Sequence, residues 1–324
     1  MTMPTPQCPW RMQVHHIEQE TPNVWTLSLL CHDYYPYRAG QYALVSIRNT
    51  GDTLRAYTLS STPGVSEYIT LTVRHIEGGV GSQWLTQDVK RGDYLWLSDA
   101  QGQFTCDDQP NDKLLLLAAG CGITPIMSMR RWLANNHPEK DVQVIFNVRT
   151  PEDVIFAREW RDYPVTLVAE EHARGNFASG RLSQQLLHSV PDLTARTVMC
   201  CGPAAYMAWA EQAVRTLGVT QFFKEQFFTP PSEMSGSGKK LKFSKLSPAK
   251  TFYAVQGYSL LEAMESNQVP INAACREGVC GCCKTQILAG EYSVNSTMTL
   301  TSEEISQGYV LACSCHPQGD LVLA

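Results

Sequence analysis

Four of the chain's twelve cysteines stand within nine residues of "CREGVCGCCK", at Cys275, Cys280, Cys282 and Cys283, and two more follow in "LACSCHP" at Cys313 and Cys315. Thiols at this density pair as disulfides, bind zinc or carry redox metal. A disulfide framework belongs to small secreted domains that lack a core. This chain has 324 residues, 44% of them hydrophobic. Its N-terminus, "MTMPTPQCPWRMQVHH", shows no cationic stretch running into an apolar one, as a secretory signal would. The expectation is a reducing, cytoplasmic setting, where clustered cysteines bind metal or do redox work.

Structural zinc takes paired C-x2-C ligands, or histidines at set spacing. Here Cys275, Cys280 and Cys283 read C-x4-C-x2-C, and Cys313 follows after 29 intervening residues. That spacing wraps four thiolates around a 2Fe–2S cluster in plant-type ferredoxins. The glycines between the thiols let backbone amides turn toward the cluster sulfurs. Zinc is the competing occupant. Cys282 and Cys315 fall outside the spacing and read as small residues near the metal.

The rest of the composition sets bounds. Net charge is −5 with 18% charged residues, and no basic tract interleaves with aromatics, so nucleic acid is not an expected partner. Lys239, Lys240, Lys242, Lys245 and Lys250 read as a solvated face. The longest apolar run, "LLLLAAGCGI", is too short to span a bilayer, so no membrane span is expected. The length allows two or three domains.

Three kinds of element must position any chemistry. Up to residue 109, short β-rich runs such as "VWTLSLLC", "YALVSIR" and "EYITLTVRH" alternate with turns, interrupted by one helical stretch, "GSQWLTQDV". This predicts a small antiparallel barrel over residues 8–109. Over residues 110–229 strand and helix patterns alternate, from "KLLLLAAG" and "PIMSMRRWLANN" through "DVQVIFNV" and "DVIFAREW" to "TVMCCG" and "AAYMAWAEQAVRTLG". This predicts a doubly wound parallel sheet with helices on both faces. Residues 230–240, within "TPPSEMSGSGKK", have the composition of a flexible tether, and residues 241–324 form a tail of strands, a helix and the cysteine loop.

Five short motifs lie on this frame. In "LRAYTLSS", Arg55 and Tyr57 share one strand face, Thr58 and Ser60 the other. A forked guanidinium suits a diphosphate and a tyrosine ring suits a flat aromatic system. In "EGGVGSQWL", Gly79, Gly81 and Ser82 open a helix where a phosphate is welcome. In "AAGCGITP", Gly120 and Gly122 follow an apolar strand and Thr124-Pro125 opens a helix. "CCGPAAYM" repeats that layout with Cys201, Gly202 and Pro203, and "KEQFF" follows with Glu225 and Phe227. Taken singly, each is also an ordinary strand or turn.

Taken together and in this order, the motifs resemble ferredoxin–NADP reductase-like flavoenzymes, and the tail resembles a plant-type ferredoxin fused behind one. With the reductase first and the ferredoxin last, the chain most resembles the NADH oxidoreductases that reduce the hybrid-cluster protein. Reductases of phenol hydroxylase and benzoate dioxygenase systems share the same parts. The resemblance implies an FAD-binding barrel, a nucleotide-binding parallel sheet and a C-terminal β-grasp domain. It implies FAD held by Arg55 at the diphosphate, Tyr57 on the isoalloxazine, Thr58 at the N5 edge, with Ser60, and Gly79, Gly81 and Ser82 at phosphate. Gly120, Gly122, Thr124 and Pro125 would bind the dinucleotide, with Gly202 and Pro203. Cys201, favoured over Cys200 by its register with Gly-Pro, would lie near the reactive nicotinamide carbon, and Glu225 and Phe227 would close the far side of the flavin. Glu152 and Asp153 beside Arg149 favour NADH over NADPH. The implied path runs from NADH to FAD to the cluster to a protein acceptor, the hybrid-cluster protein. A reductase component for a ring-hydroxylating oxygenase, and a redox-sensing iron–sulfur protein, are the rival readings.

Overall fold

The computed structural model describes residues 3–51, 53–225, 239–271, 273, 278, 281–297 and 299–324. The chain divides into two compact units, Met1–Gly51 with Ala56–Phe227, and Phe228–Ala324 with Asp52–Arg55.

The N-terminal part of the chain has six strands, β1 (Trp10–Thr21), β2 (Val24–Cys31), β3 (Tyr42–Ser46), β4 (Leu54–Thr58), β5 (Ile69–Arg74) and β6 (Tyr94–Leu97), all within the first unit except the first two residues of β4. They lie in the order β4-β3-β6-β1-β2-β5. An antiparallel bridge from Leu59 to Leu71 joins the two ends and closes the sheet into a barrel. Alternate residues fill it: Met12, Val14, Leu27, Leu29, Leu71 and Val73 form one buried cluster. Between β5 and β6 stands a short helix, α1 (Val80–Gln83), continued by a wider turn through Asp88.

The parallel sheet follows: β7 (Lys113–Ala119), α2 (Ile123–Asn136), β8 (Asp141–Val148), β9 (Thr166–Ala169), β10 (Ala178–Ser179), α3 (Gln184–His188), β11 (Thr197–Cys201), α4 (Ala204–Thr216) and β12 (Phe222–Glu225). The strand order is β10-β9-β8-β7-β11-β12, with every pairing parallel. β7 is central and apolar throughout because both of its faces are covered. Leu114, Leu116 and Ala118 pack with α2, while Leu115 and Leu117 pack with α3 and α4. "DVIFAREW" does not form the expected helix. Two single turns, Pro151–Asp153 and Glu159–Arg161, flank Phe156, whose left-handed backbone (φ +59°) interrupts any continuous helix. At the opposite end of the sheet the guanidinium of Arg196 is wholly buried. It donates to the carbonyls of Pro191, Leu114 and Asp141 and pairs with the Asp141 carboxylate.

The second unit contains β13 (Lys240–Lys245), β14 (Lys250–Val255), α5 (Leu260–Ser266), β15 (Lys284–Ala289), β16 (Tyr292–Val294), α6 (Ser302–Ser306), β17 (Tyr309–Leu311), β18 (Cys315–Pro317) and β19 (Leu321–Leu323). Five strands in the order β14-β13-β19-β15-β17 form a mixed sheet, parallel only between β13 and β19. Leu260, Leu261 and Met264 of α5 pack on Leu241, Phe243, Phe252 and Leu321 of that sheet, which is the β-grasp arrangement. Ser259 and Glu262 form a capping box that starts α5.

Candidate functional site

The flavin motif lies on β4. Arg55 is half-buried and bonds its own chain, Nη1 to the Leu54 carbonyl at 2.8 Å. Tyr57 is half-buried against the barrel core. Thr58 is 6% exposed, and its buried hydroxyl has no hydrogen-bond partner among the described residues. A buried hydroxyl left without a partner costs free energy, so this position suits a ligand that offers an acceptor or donor there, as a flavin edge does. Ser60 lies fully buried, bonded to Thr70 and Thr72. Gly79 precedes α1, whose first amides have no acceptor inside the helix. The Ser82 hydroxyl folds back to accept from the Ile76 amide at 3.2 Å.

The two glycine turns of the parallel sheet meet. Both stand at strand C-terminal ends, Gly120–Gly122 after β7 and Gly202 after β11. A Cβ on Gly122 would lie 2.1 Å from the Cys201 carbonyl oxygen, so only glycine lets the turns approach this closely. Gly120 adopts φ +54°. The Thr124 hydroxyl donates to the Cys121 carbonyl at 3.0 Å, and Thr124 and Pro125 are buried in the first turn of α2. Pro203 caps α4.

Cys200 and Cys201 face opposite ways. Cys200 packs with α3 and α4, whereas Cys201 packs on the α2 face, in register with Glu225 on β12. Burial pushes the Cys201 thiol well above its ordinary range, and the neighbouring Glu225 carboxylate adds to the rise. Burial also pushes Cys200 up to about 12. Burial thus disfavours the thiolate form at both positions. Glu225 also lies near the barrel: a Cβ on Gly102 would stand 3.6 Å from its Oε1. Phe227 lies outside the described residues.

Sequence reasoning missed Arg74. It ends β5, and its guanidinium rests against Gly120, with Nη2 3.2 Å from the position of a Cβ there, and bonds the Cys121 thiol. No local signal marks it, because the contact joins barrel to sheet across 46 residues of sequence.

In the second unit Cys275 and Cys280 lie outside the described residues. Cys283 and Cys313 are 3% and 6% exposed with sulfurs 3.3 Å apart. The Gly278 amide donates to Cys313 Sγ at 3.1 Å and the Cys313 amide to Cys283 Sγ at 3.5 Å. Amides aimed at thiol sulfurs suit thiolate ligands of an iron–sulfur cluster. Cys282 is half-buried and Cys315 fully buried.

Three family models match in succession: an oxidoreductase FAD-binding domain over residues 12–106, an oxidoreductase NAD-binding domain over 116–212 and a 2Fe–2S iron–sulfur cluster binding domain over 245–318. The chain is 74% identical over 324 residues, all of both chains, to NADH oxidoreductase HCR of Escherichia coli (strain K12). It is 28% identical to the glycine betaine monooxygenase reductase subunit of Pseudomonas aeruginosa, across 94% of this chain and 92% of that one. Among solved structures, phthalate dioxygenase reductase shares the fold with a TM-score of 0.68 and 22% identity, covering 97% of each chain. The chain belongs to the NADH oxidoreductase HCR family, as an oxidoreductase with FAD-binding, NAD-binding and 2Fe–2S domains.

Proposed function

We propose that this reductase passes electrons from NADH, by way of FAD and a 2Fe–2S cluster on Cys275, Cys280, Cys283 and Cys313, to the hybrid-cluster protein. The observation that carries the reading is the succession of FAD-binding, NAD-binding and 2Fe–2S domains on one chain. A nicotinamide gives two electrons and such a cluster takes one; when bound, the flavin supplies the exchange between the two. The relative named NADH oxidoreductase HCR supports the donor and the acceptor.

The chain's own residues bind and orient. Arg55 holds the diphosphate, Tyr57 stacks on the flavin ring, Thr58 gives its hydroxyl to the ring edge, and Ser60 supports that strand. Gly79, Gly81 and Ser82 hold phosphate. Gly120, Gly122, Thr124, Pro125, Gly202 and Pro203 shape the dinucleotide turn, and Cys201 supplies a neutral, close-packed floor for the nicotinamide. Glu225 and Phe227 close the flavin's far side. The pairing of Arg149 with Glu171, and of Arg174 with Glu152, leaves little cationic capacity for a 2′-phosphate, which favours NADH. Cys283 and Cys313, whose sulfurs stand side by side, would be two of the thiolates that hold the cluster.

The domain ranges we propose are 8–109, 110–229, a linker over 230–240, and 241–324; the three matched stretches fall within them. No helix among the described residues is long and apolar enough to cross a membrane. A cytoplasmic site of action is part of the proposal. The oxygenase-reductase reading is favoured by the glycine betaine monooxygenase relative. Anaerobic titration with NADH, followed optically, should reduce flavin and cluster together. Reoxidation should then be faster with the hybrid-cluster protein than with a Rieske-type oxygenase component. The reverse ranking would make the oxygenase reading the correct one.

A further inference from the structure

Immediately after the flavin motif, Ser60, Ser61 and Thr62 are at most 1% exposed, and their backbone is gripped from the nucleotide-binding half of the unit. Ser128 of α2 donates its hydroxyl to the Ser61 carbonyl at 2.5 Å, and Thr62 donates to the Ser128 carbonyl at 3.2 Å. One turn further along α2, Arg131 Nη1 donates to the Ser60 carbonyl at 2.7 Å. The same guanidinium forks onto Glu159 at 2.7 and 2.6 Å and lies 5.0 Å from the centroid of the Phe156 ring. Phe156 leads back to the barrel, its amide donating to Glu20 Oε2 at 3.2 Å. Glu20 accepts from Thr26 at 2.7 Å, the Thr26 and Thr72 hydroxyls bond at 2.9 Å, and Thr72 bonds Ser60 at 2.8 Å. The contacts close a ring: Ser60, Arg131, Phe156, Glu20, Thr26, Thr72 and Ser60 again.

This ring spans the seam between two half-sites. Helix α2 starts at the glycine turn that holds the dinucleotide, and the gripped carbonyls begin two residues beyond Thr58. A helix is stiff over two turns, so its grip on Ser60 and Ser61 sets the reach from one half-site to the other. We propose that Arg131, assisted by Ser128, is a positioning residue that fixes the distance between nicotinamide and flavin. The inference rests on the function proposed above. Arg131 suits the task because its planar fork reaches both Glu159 oxygens and the Ser60 carbonyl in fixed directions, whereas a lysine's compact, freely rotating ammonium sets no such geometry.

The test uses the full-length protein, loaded with FAD and cluster, mixed rapidly and anaerobically with NADH. Misplacing reacting atoms by about 1 Å can cost on the order of 100-fold in rate, so Arg131→Lys should lower the limiting rate of flavin reduction by roughly 10- to 100-fold. The half-saturating NADH concentration should change far less. The equilibrium nicotinamide–flavin charge-transfer absorbance should weaken while FAD content and cluster spectrum stay as in the wild type. Ser128→Ala should show a smaller loss of the same kind, and it decides the matter if Arg131→Lys does not fold. Unchanged limiting rates and charge-transfer absorbance, or a loss due wholly to weaker NADH binding, would overturn the inference. A wild-type flavin that NADH fails to reduce would instead overturn the proposed function.

Discussion

In the larger unit the site residues stand on or just beyond the ends of regular strands, where burial and backbone geometry fix them. In the smaller unit the two proposed ligands among the described residues, Cys283 and Cys313, sit beside the strands in tight turns, bonded to amides and to each other. The first kind of site spreads its grip over many weak contacts, each worth about 0.5–1.5 kcal/mol. The second, as proposed, would depend on a few metal–thiolate bonds, each of them indispensable. Damage should therefore be graded in one unit and all-or-none in the other.

Five substitutions sharpen or break that contrast. The largest effect belongs to Cys283→Ser, which should abolish the cluster and transfer to the protein acceptor. FAD should stay bound, and NADH should still reduce ferricyanide. Iron content and optical spectra check this, and loss of FAD as well would show that the two units do not hold their cofactors independently. Next comes Gly122→Ala, whose added methyl meets the Cys201 carbonyl oxygen and forces the two turns apart. NADH-dependent flavin reduction should fall by about 100-fold with FAD content unchanged, by the same sensitivity of rate to ångström misplacement. A variant with wild-type kinetics would remove this contact from the account.

Thr58→Val is smaller and has two signs. Without FAD, replacing a partnerless buried hydroxyl by a methyl should raise stability by about 1 kcal/mol. FAD affinity should fall by roughly two- to tenfold, the worth of about one hydrogen bond. Calorimetry and FAD titration read the two effects separately, and a rise in FAD affinity would exclude the bond. The smallest effects on chemistry belong to Cys282→Ser and Cys315→Ser, which should keep the cluster spectrum. Cys315→Ser should still melt earlier, since a hydroxyl enters an apolar cluster at a cost of about 1–3 kcal/mol. Loss of iron from either variant would reassign the ligands.

How much of this was legible in the sequence depended on whether the cause was local. Gly122 and Gly202 could be read because glycine stands out where backbones converge, and β7 because a strand covered on both faces is apolar throughout. The four cysteines proposed as ligands could be picked out from spacing alone, although two of them lie outside the described residues. The closing Leu59–Leu71 bridge, Arg74 at Gly120 and the grip of Arg131 on Ser60 join distant segments, and no window of sequence contains them. "DVIFAREW" misled because its helical pattern is cut by one left-handed residue, Phe156. Helix α6 was missed although "TSEE" carries a readable signal, the capping box of Thr301 and Glu304.

Arg196 gives the parallel sheet an unequal response to ionic strength. Its guanidinium, shut away from solvent, ties β7 and β8 to the segment entering β11 at the end remote from the nucleotide turns. Mobile ions screen such a buried cation poorly. At the other end, the pairs Arg149–Glu171, Arg174–Glu152 and Arg181–Glu170 are exposed to water and lose their attraction as salt is added. Concentrated electrolyte should loosen the loops proposed to border the dinucleotide while the foundation of the sheet stays fixed, so nucleotide affinity should prove salt-sensitive long before the fold does.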